Sequence, residues 1–403
     1  MLYFTHDRKG IPAGIARMTK GALTMMHTID PYLFIGSVSL LLGLAAGFVM
    51  HRSDFCMAGM FRDLFLFKRT VMIKSFVLLV LSSMLLFEAA RQTGLLSPYP
   101  FPLLYPPTAG NVIGGFLFGI GMVFAGGCVV GTLYKMGAGS VLSLTAFAGL
   151  VFGSGFYAEF HPAWAAFAKS MVLAPGKVTI AQILNVDPLL PILVVLVPGA
   201  LLLFSWHRKG ELKRSAFAAG YLQPARAALA LSLIGALSYV LVGMPLGVTS
   251  SFTKIAGFIE RTLFPDHFNG LAFFKAVPLN YVHGLTGAAL TGGVGPRLDT
   301  LAAIQFPLIS GIILGSALSA ALLGELKFYY KVPARQYVLA AAGGTLMGLA
   351  SRMAPTCNVW HLMGGLPILA ASSMLFLLGM LGGAWIGGML LVKILAAGTA
   401  RTT

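Results

Sequence analysis

The chain has 403 residues, of which 57% are hydrophobic and only 10% charged, and its formal charge is +16. Soluble domains carry about 25% charged residues, so this composition excludes an ordinary soluble enzyme or nucleic-acid-binding domain and describes an integral membrane protein. Basic loops that orient a membrane protein account for much of the positive charge, with attraction of an anion as the second reading.

Residues 1–30 hold Arg8, Lys9, Arg17 and Lys20 without a sustained apolar run, and they read as a surface tail, not a cleavable signal peptide. From Pro31 onward, apolar stretches of about 20 residues recur, which fits helices and not ten-residue barrel strands. Their lengths and breakers predict nine spans, near 32–51, 71–91, 110–125, 139–158, 187–205, 226–244, 304–325, 336–352 and 367–392. Four segments between them, 53–66, 126–137, 250–264 and 355–365, are too short to cross. Each opens on helix-starting residues: Ser53-Asp54, Gly126-Gly127, Thr249-Ser250-Ser251 and Pro355-Thr356. Such half-helices are tolerated at membrane depth when buried in protein or lining a cavity.

An internal repeat runs through the chain. Gly114, Gly115, Leu117, Gly119, Ala125, Cys128, Val130, Leu133, Ser143, Phe147 and Gly153 recur 229 residues later as Gly343, Gly344, Leu346, Gly348, Ala354, Cys357, Val359, Leu362, Ser372, Phe376 and Gly382. A weaker match pairs Ala58-Gly59 with Ala256-Gly257, which sets Cys56 opposite Lys254. Two copies separated by one extra span are oppositely oriented, as in many transporters whose site lies where broken helices meet. The expected fold is therefore an all-α polytopic membrane protein with about nine transmembrane helices, four re-entrant half-helices and two inverted repeats. Its expected divisions are a tail at 1–30, a first repeat at 31–160, a connector with one span at 161–225, a second repeat at 226–393 and a tail at 394–403. Loop charges favour an outside N-terminus.

All three cysteines sit where apolar stretches break: Cys56 after His51-Arg52-Ser53-Asp54, Cys128 in Ala125-Gly126-Gly127-Cys128, and Cys357 in Pro355-Thr356-Cys357-Asn358. Their spacing contains no C-x-x-C pair and suggests no zinc site or disulfide framework. The scattered methionines form no ligand cluster, so no metal or cofactor is expected. Buried cysteine is ordinarily a small hydrophobe; placement of all three at helix starts argues for use. There they lie beside unpaired N–H groups and the positive end of the helix dipole, which attract anions. A neutral thiol also offers an S–H donor. Gly126 and Gly127 are candidates for presenting backbone N–H groups to a ligand. Arg352, Lys254, Thr356 and Asn358 stand close enough in sequence to join the site, although basic residues at span ends also serve as anchors.

The Gly-rich cysteine segments in a nine-span, internally repeated chain resemble the YeeE/YedE family of bacterial sulfur-compound membrane transporters, from about Pro31 to Leu391. The resemblance implies an inner-membrane importer, not an enzyme, in which Cys56, Cys128 and Cys357 pass thiosulfate along a narrow path by weak S–H contacts. It also implies a soluble sulfur-carrier protein as a candidate partner. The bulk of Trp360 and His361 after Cys357 departs from the glycine-rich form expected there, which leaves a selenium or other sulfur species as an alternative substrate. Two readings from other classes are a membrane sulfurtransferase that forms a cysteine persulfide, and an anion transporter in which the cysteines are structural.

Overall fold

The computed structural model describes residues 30–96, 99–213 and 218–399. Most of the expected tails at 1–30 and the last residues of 394–403 lie outside them. Nine long helices occur among the described residues: α1 (Pro31–Ser53), α3 (Val71–Gln92), α4 (Ala109–Phe124), α6 (Val141–Ser170), α8 (Leu189–Arg208), α9 (Pro224–Val242), α13 (Thr300–Leu322), α14 (Ala334–Met353) and α15 (Ala371–Thr399). Eight segments built on these are long and apolar enough to cross a membrane. The helix outside that set is α14, which carries Arg335, Gln336 and Arg352 and is rich in alanine and glycine. The protein is a helical, multi-pass membrane protein.

Helix starts follow local chemistry. Asp30 caps α1 by accepting the Tyr32 N–H at 2.8 Å, and Pro31 fills the first turn, where a missing N–H costs nothing. Thr108 and Asn111 form a reciprocal capping box at α4. Ser140 caps α6 and Asp299 caps α13.

The short elements lie between the long helices: α2 (Met57–Phe65), α5 (Val129–Gly137), α7 (Ile180–Leu184), α10 (Thr249–Leu263), α11 (Pro265–Gly270) and α12 (Ala272–Lys275). Residues 358–365 form a further short helix, its later turns widened at Trp360–Gly365 and followed by one tight turn at Leu366–Ile368. One antiparallel hairpin, β1 (Leu279–Val282) with β2 (Ala289–Gly292), was not expected from the sequence. Its Tyr281 hydroxyl donates to the Val242 carbonyl at 2.8 Å, which pins the hairpin under the end of α9.

Helix packing is exchange-related between the halves. α1 packs on α13 and α3 on α9; α4 packs on α15 and α6 on α14; α1 with α9 and α4 with α14 meet across the middle. These contacts need glycine. A Cβ at Gly47 would collide with the Ile312 carbonyl, and one at Gly344 with the Ala146 carbonyl. Small residues let helix backbones approach where lipid supplies no hydrophobic drive for association. By contrast α8 buries only Ile192 and stands at the periphery. α6 continues to Ser170 through Pro162, past the expected division at 160/161, and α15 runs past 393.

Candidate functional site

Four long helices end in the same way. After α1, α4, α9 and α14 the chain passes through a residue of positive φ, Asp54 (50°), Gly126 (70°), Gly243 (81°) and Thr356 (86°), and then starts a short helix. Glycine adopts this region freely, whereas a β-branched threonine there is strained. Thr356 is held in it by its own N–H, which donates to the Ser351 carbonyl at 2.9 Å.

Each cysteine is the residue that starts its short helix. The Cys56 carbonyl accepts from Met60, that of Cys128 from Thr132 and that of Cys357 from His361, at 2.8, 2.7 and 3.1 Å. All three thiols are free and buried. The Gly131 N–H donates to Cys128 Sγ at 3.4 Å, while the Gly59 and Cys128 N–H groups face Cys56 Sγ. The Trp360, Val359 and Val248 N–H groups face Cys357 Sγ. Cys56 and Cys128 are direct neighbours, and glycine at 131 makes that possible. A Cβ there would stand 2.9 Å from Cys56 Sγ and 3.3 Å from Cys128 Sγ.

The fourth cap is Val248, at the start of α10. It, and not Lys254, occupies the place matching Cys56. Lys254 lies a turn and a half inside α10, and its ammonium donates to the Gly295 carbonyl, the Arg297 carbonyl and Asp299 Oδ2 at 3.0, 2.9 and 2.9 Å. With its three donors used, it anchors the segment leading into α13 and has none left for an anion. Gly126 and Gly127 also differ from expectation. Their N–H groups donate to the Val123 and Met122 carbonyls, closing the last turn of α4, so they shape the turn without presenting amides to a ligand.

Arg352 is buried in the wall of a cavity of about 410 Å³ that Thr356, Ser250, Tyr105 and Tyr157 also line. Its Nη2 donates to Thr249 Oγ1, its Nε has no partner, and no acidic side chain among the described residues forms an ion pair with it. Thr356 Oγ1, both amide atoms of Asn358 and Trp360 Nε1 are likewise buried without a hydrogen bond, and the Asn358 amide faces Cys128. Buried polar groups are ordinarily paired, so Arg352 and Thr356, both with an unpaired buried atom and both lining the cavity, mark its wall as a candidate ligand site.

Between the Cys357 and Cys128 ends, Val248, Val130, Val359 and Met50 line a closed apolar space of about 20 Å³, about the room of a single water probe. His361 Nδ1 lies 2.9 Å from Ser373 Oγ, and its ring stacks on Phe376 with centroids 4.3 Å apart. Sequence reasoning missed Val248, Thr249 and Gly131. The Thr249-Ser250-Ser251 start and the Ala125–Gly131 segment were the signals available.

Three buried thiols at helix starts in a multi-pass helical bundle, with a guanidinium that has no ion-pair partner among the described residues in the wall of a nearby cavity, fit a membrane transporter for a small anion. Residues 52–386 match the sulphur transport family, and the chain belongs to that family, also known as YeeE/YedE. It is 31% identical over 370 residues to the thiosulfate transporter TsuA of Spirochaeta thermophila, covering 86% of this chain and 97% of the relative. It is 27% identical over 335 residues to the thiosulfate transporter TsuA of Escherichia coli, covering 79% and 84% of the two chains.

Proposed function

We propose that this protein imports thiosulfate, or a closely similar sulfur dianion, across the bacterial inner membrane. In this reading its two halves are inverted repeats and Cys56, Cys128 and Cys357 form the central relay. The observation that carries the proposal is that three buried cysteines start short helices, with Arg352 beside Cys357 in the wall of the cavity.

The charge balance supports it. A helix N-terminus acts as about half a positive charge, so four short helices starting at Cys56, Cys128, Val248 and Cys357 supply about two, matching a dianion without a fixed acid-base pair. Arg352 and Thr356 receive the ion from the cavity. Cys357 then offers its S–H while the surrounding N–H groups hold the sulfur in place. Asn358 bridges toward Cys128, and Cys56 takes the ion last. Each thiol is a weak donor, so no single stop binds tightly enough to trap the ion. The waist at Val248 must widen for the ion to pass.

Uptake of labelled thiosulfate, sulfate and sulfite into proteoliposomes tests the reading. Thiosulfate is expected to be taken up, with Cys128→Ala and Cys357→Ala abolishing flux; undiminished flux in both variants would end the relay. Recovery of a cysteine heavier by one sulfur atom after exposure to substrate would instead favour the persulfide reading. A soluble sulfur carrier remains a proposal carried by the family resemblance, and co-purification with such a protein is its test.

A further inference from the structure

Opposite the Arg352 cavity, the Cys56–Cys128 pair lies directly beneath two exposed turns. Asp54 and Gly126 are exposed, while Cys56 and Cys128, two residues further along, are buried. Two contacts close this face. Lys135 Nζ donates to the Gly126 carbonyl at 2.7 Å, and the Tyr134 hydroxyl donates to Asp54 Oδ1 at 3.2 Å.

Lys135 is in the last turn of α5, where a lysine ordinarily offsets the dipole by capping the final carbonyls. Instead its chain runs back along the helix to the turn before Cys128. No carboxylate pairs with it among the described residues, and its charge reaches the Cys56 thiol. A second cation near these turns, Arg52, is already committed to the Gly220 carbonyl at 2.6 Å and to Ser319 Oγ at 3.2 Å.

We infer that Lys135 is the release-side anion-handling residue: it draws the dianion off Cys56 by exchanging its bond to the Gly126 carbonyl for the ion, while Asp54 repels re-entry. The inference deepens the transport reading and rests on it. It assigns the two ends of the path different cations, Arg352 for capture and Lys135 for release, on elements that the repeat does not equate. A single backbone carbonyl is a partner that an incoming dianion can displace, whereas the three acceptors around Lys254 are not.

The test uses the purified full-length protein and two small thiol reagents, neutral methyl methanethiosulfonate and anionic sulfonatoethyl methanethiosulfonate, with labelling of Cys56 followed by peptide mass. Lys135→Gln is expected to lower the ratio of anionic to neutral labelling rates about tenfold, the scale of local electrostatic steering. Lys135→Arg should restore the ratio and Asp54→Asn should raise it. An unchanged ratio in Lys135→Gln overturns the inference. In proteoliposomes, Lys135→Gln should lower the maximal uptake rate and leave KM within about twofold, since capture is untouched; a selective rise in KM would also overturn it. If the unsubstituted protein moves no thiosulfate, the transport reading fails, while the labelling ratio still decides whether Lys135 handles anions at Cys56.

Discussion

Arg352 and Lys254 look alike in the sequence, each a basic residue near a broken span, and the fold gives them opposite surroundings. Lys254 is saturated by Asp299 and two carbonyls, whereas Arg352 has one hydroxyl partner and a free Nε beside a cavity. A charge-assisted hydrogen bond contributes about 1.5–3 kcal/mol, so Arg352→Gln is expected to raise KM for the transported anion about 10- to 100-fold. Arg352→Lys keeps the charge but loses the planar fork, and a smaller rise is expected. Uptake kinetics check both. Lys254→Met should instead lower the thermal midpoint of the purified protein by leaving the Asp299 carboxylate without its buried partner. The cysteines were legible as helix starts because Ser-Asp, Gly-Gly and Pro-Thr all announce a new helix. That Lys254 is saturated was not legible, because its acceptors lie in the 295–299 segment, which is remote in sequence.

At the scale of elements, the repeat read at 114–153 and 343–382 rests on glycines that stand at close helix crossings. It was misread around Cys56. Two residues separate α1 from its following cap, but five, Gly243 through Gly247, separate α9 from Val248. The weaker match, at an offset of 198 and then 199 residues, set Cys56 opposite Lys254, beyond the cap at Val248. The same packing logic predicts opposite outcomes for two glycines. Gly235 lies in α9, and nothing stands within 4 Å of the position a Cβ would take there, so Gly235→Ala should be tolerated and stabilise by up to about 1 kcal/mol through backbone entropy. Gly344 sits against the Ala146 backbone, so Gly344→Ala must push α14 from α6, costing about 1–3 kcal/mol. Thermal unfolding of the two variants in one detergent checks the contrast. The hairpin at 279–292 escaped sequence reading because its strands are only four residues each and flank glycine and threonine in a largely helical chain.

Across the whole molecule, the N-terminal and C-terminal helices pack on one another, and a titratable contact joins α6, α10 and α11. His267 on α11 faces carboxylates from both halves: Nδ1 lies 2.7 Å from Glu260 Oε1 on α10, and Nε2 lies 3.5 Å from Glu159 Oε2 on α6. The Glu260 hydrogen bond, followed by the charge of Glu159, raises the His267 pKa above its ordinary 6.5. A raised histidine pKa means that the folded protein holds the proton more tightly than the unfolded chain. The clasp's contribution is therefore fully present below about pH 6.5 and is lost as pH climbs through the raised value. His267 is 53% exposed, so the effect is modest and weakens with added salt. The unsubstituted protein should accordingly melt above His267→Gln near pH 5.5, with the gap closing toward pH 8.5, each pH being approximate and chosen to bracket the histidine range. A gap that is constant with pH would reduce His267 to a packing role. α10 also starts at Val248, whose N–H faces Cys357 Sγ, so in the proposed relay loss of this clasp is expected to loosen the helix that borders that thiol. Uptake should then respond to pH through the maximal rate, while Arg352 continues to set KM.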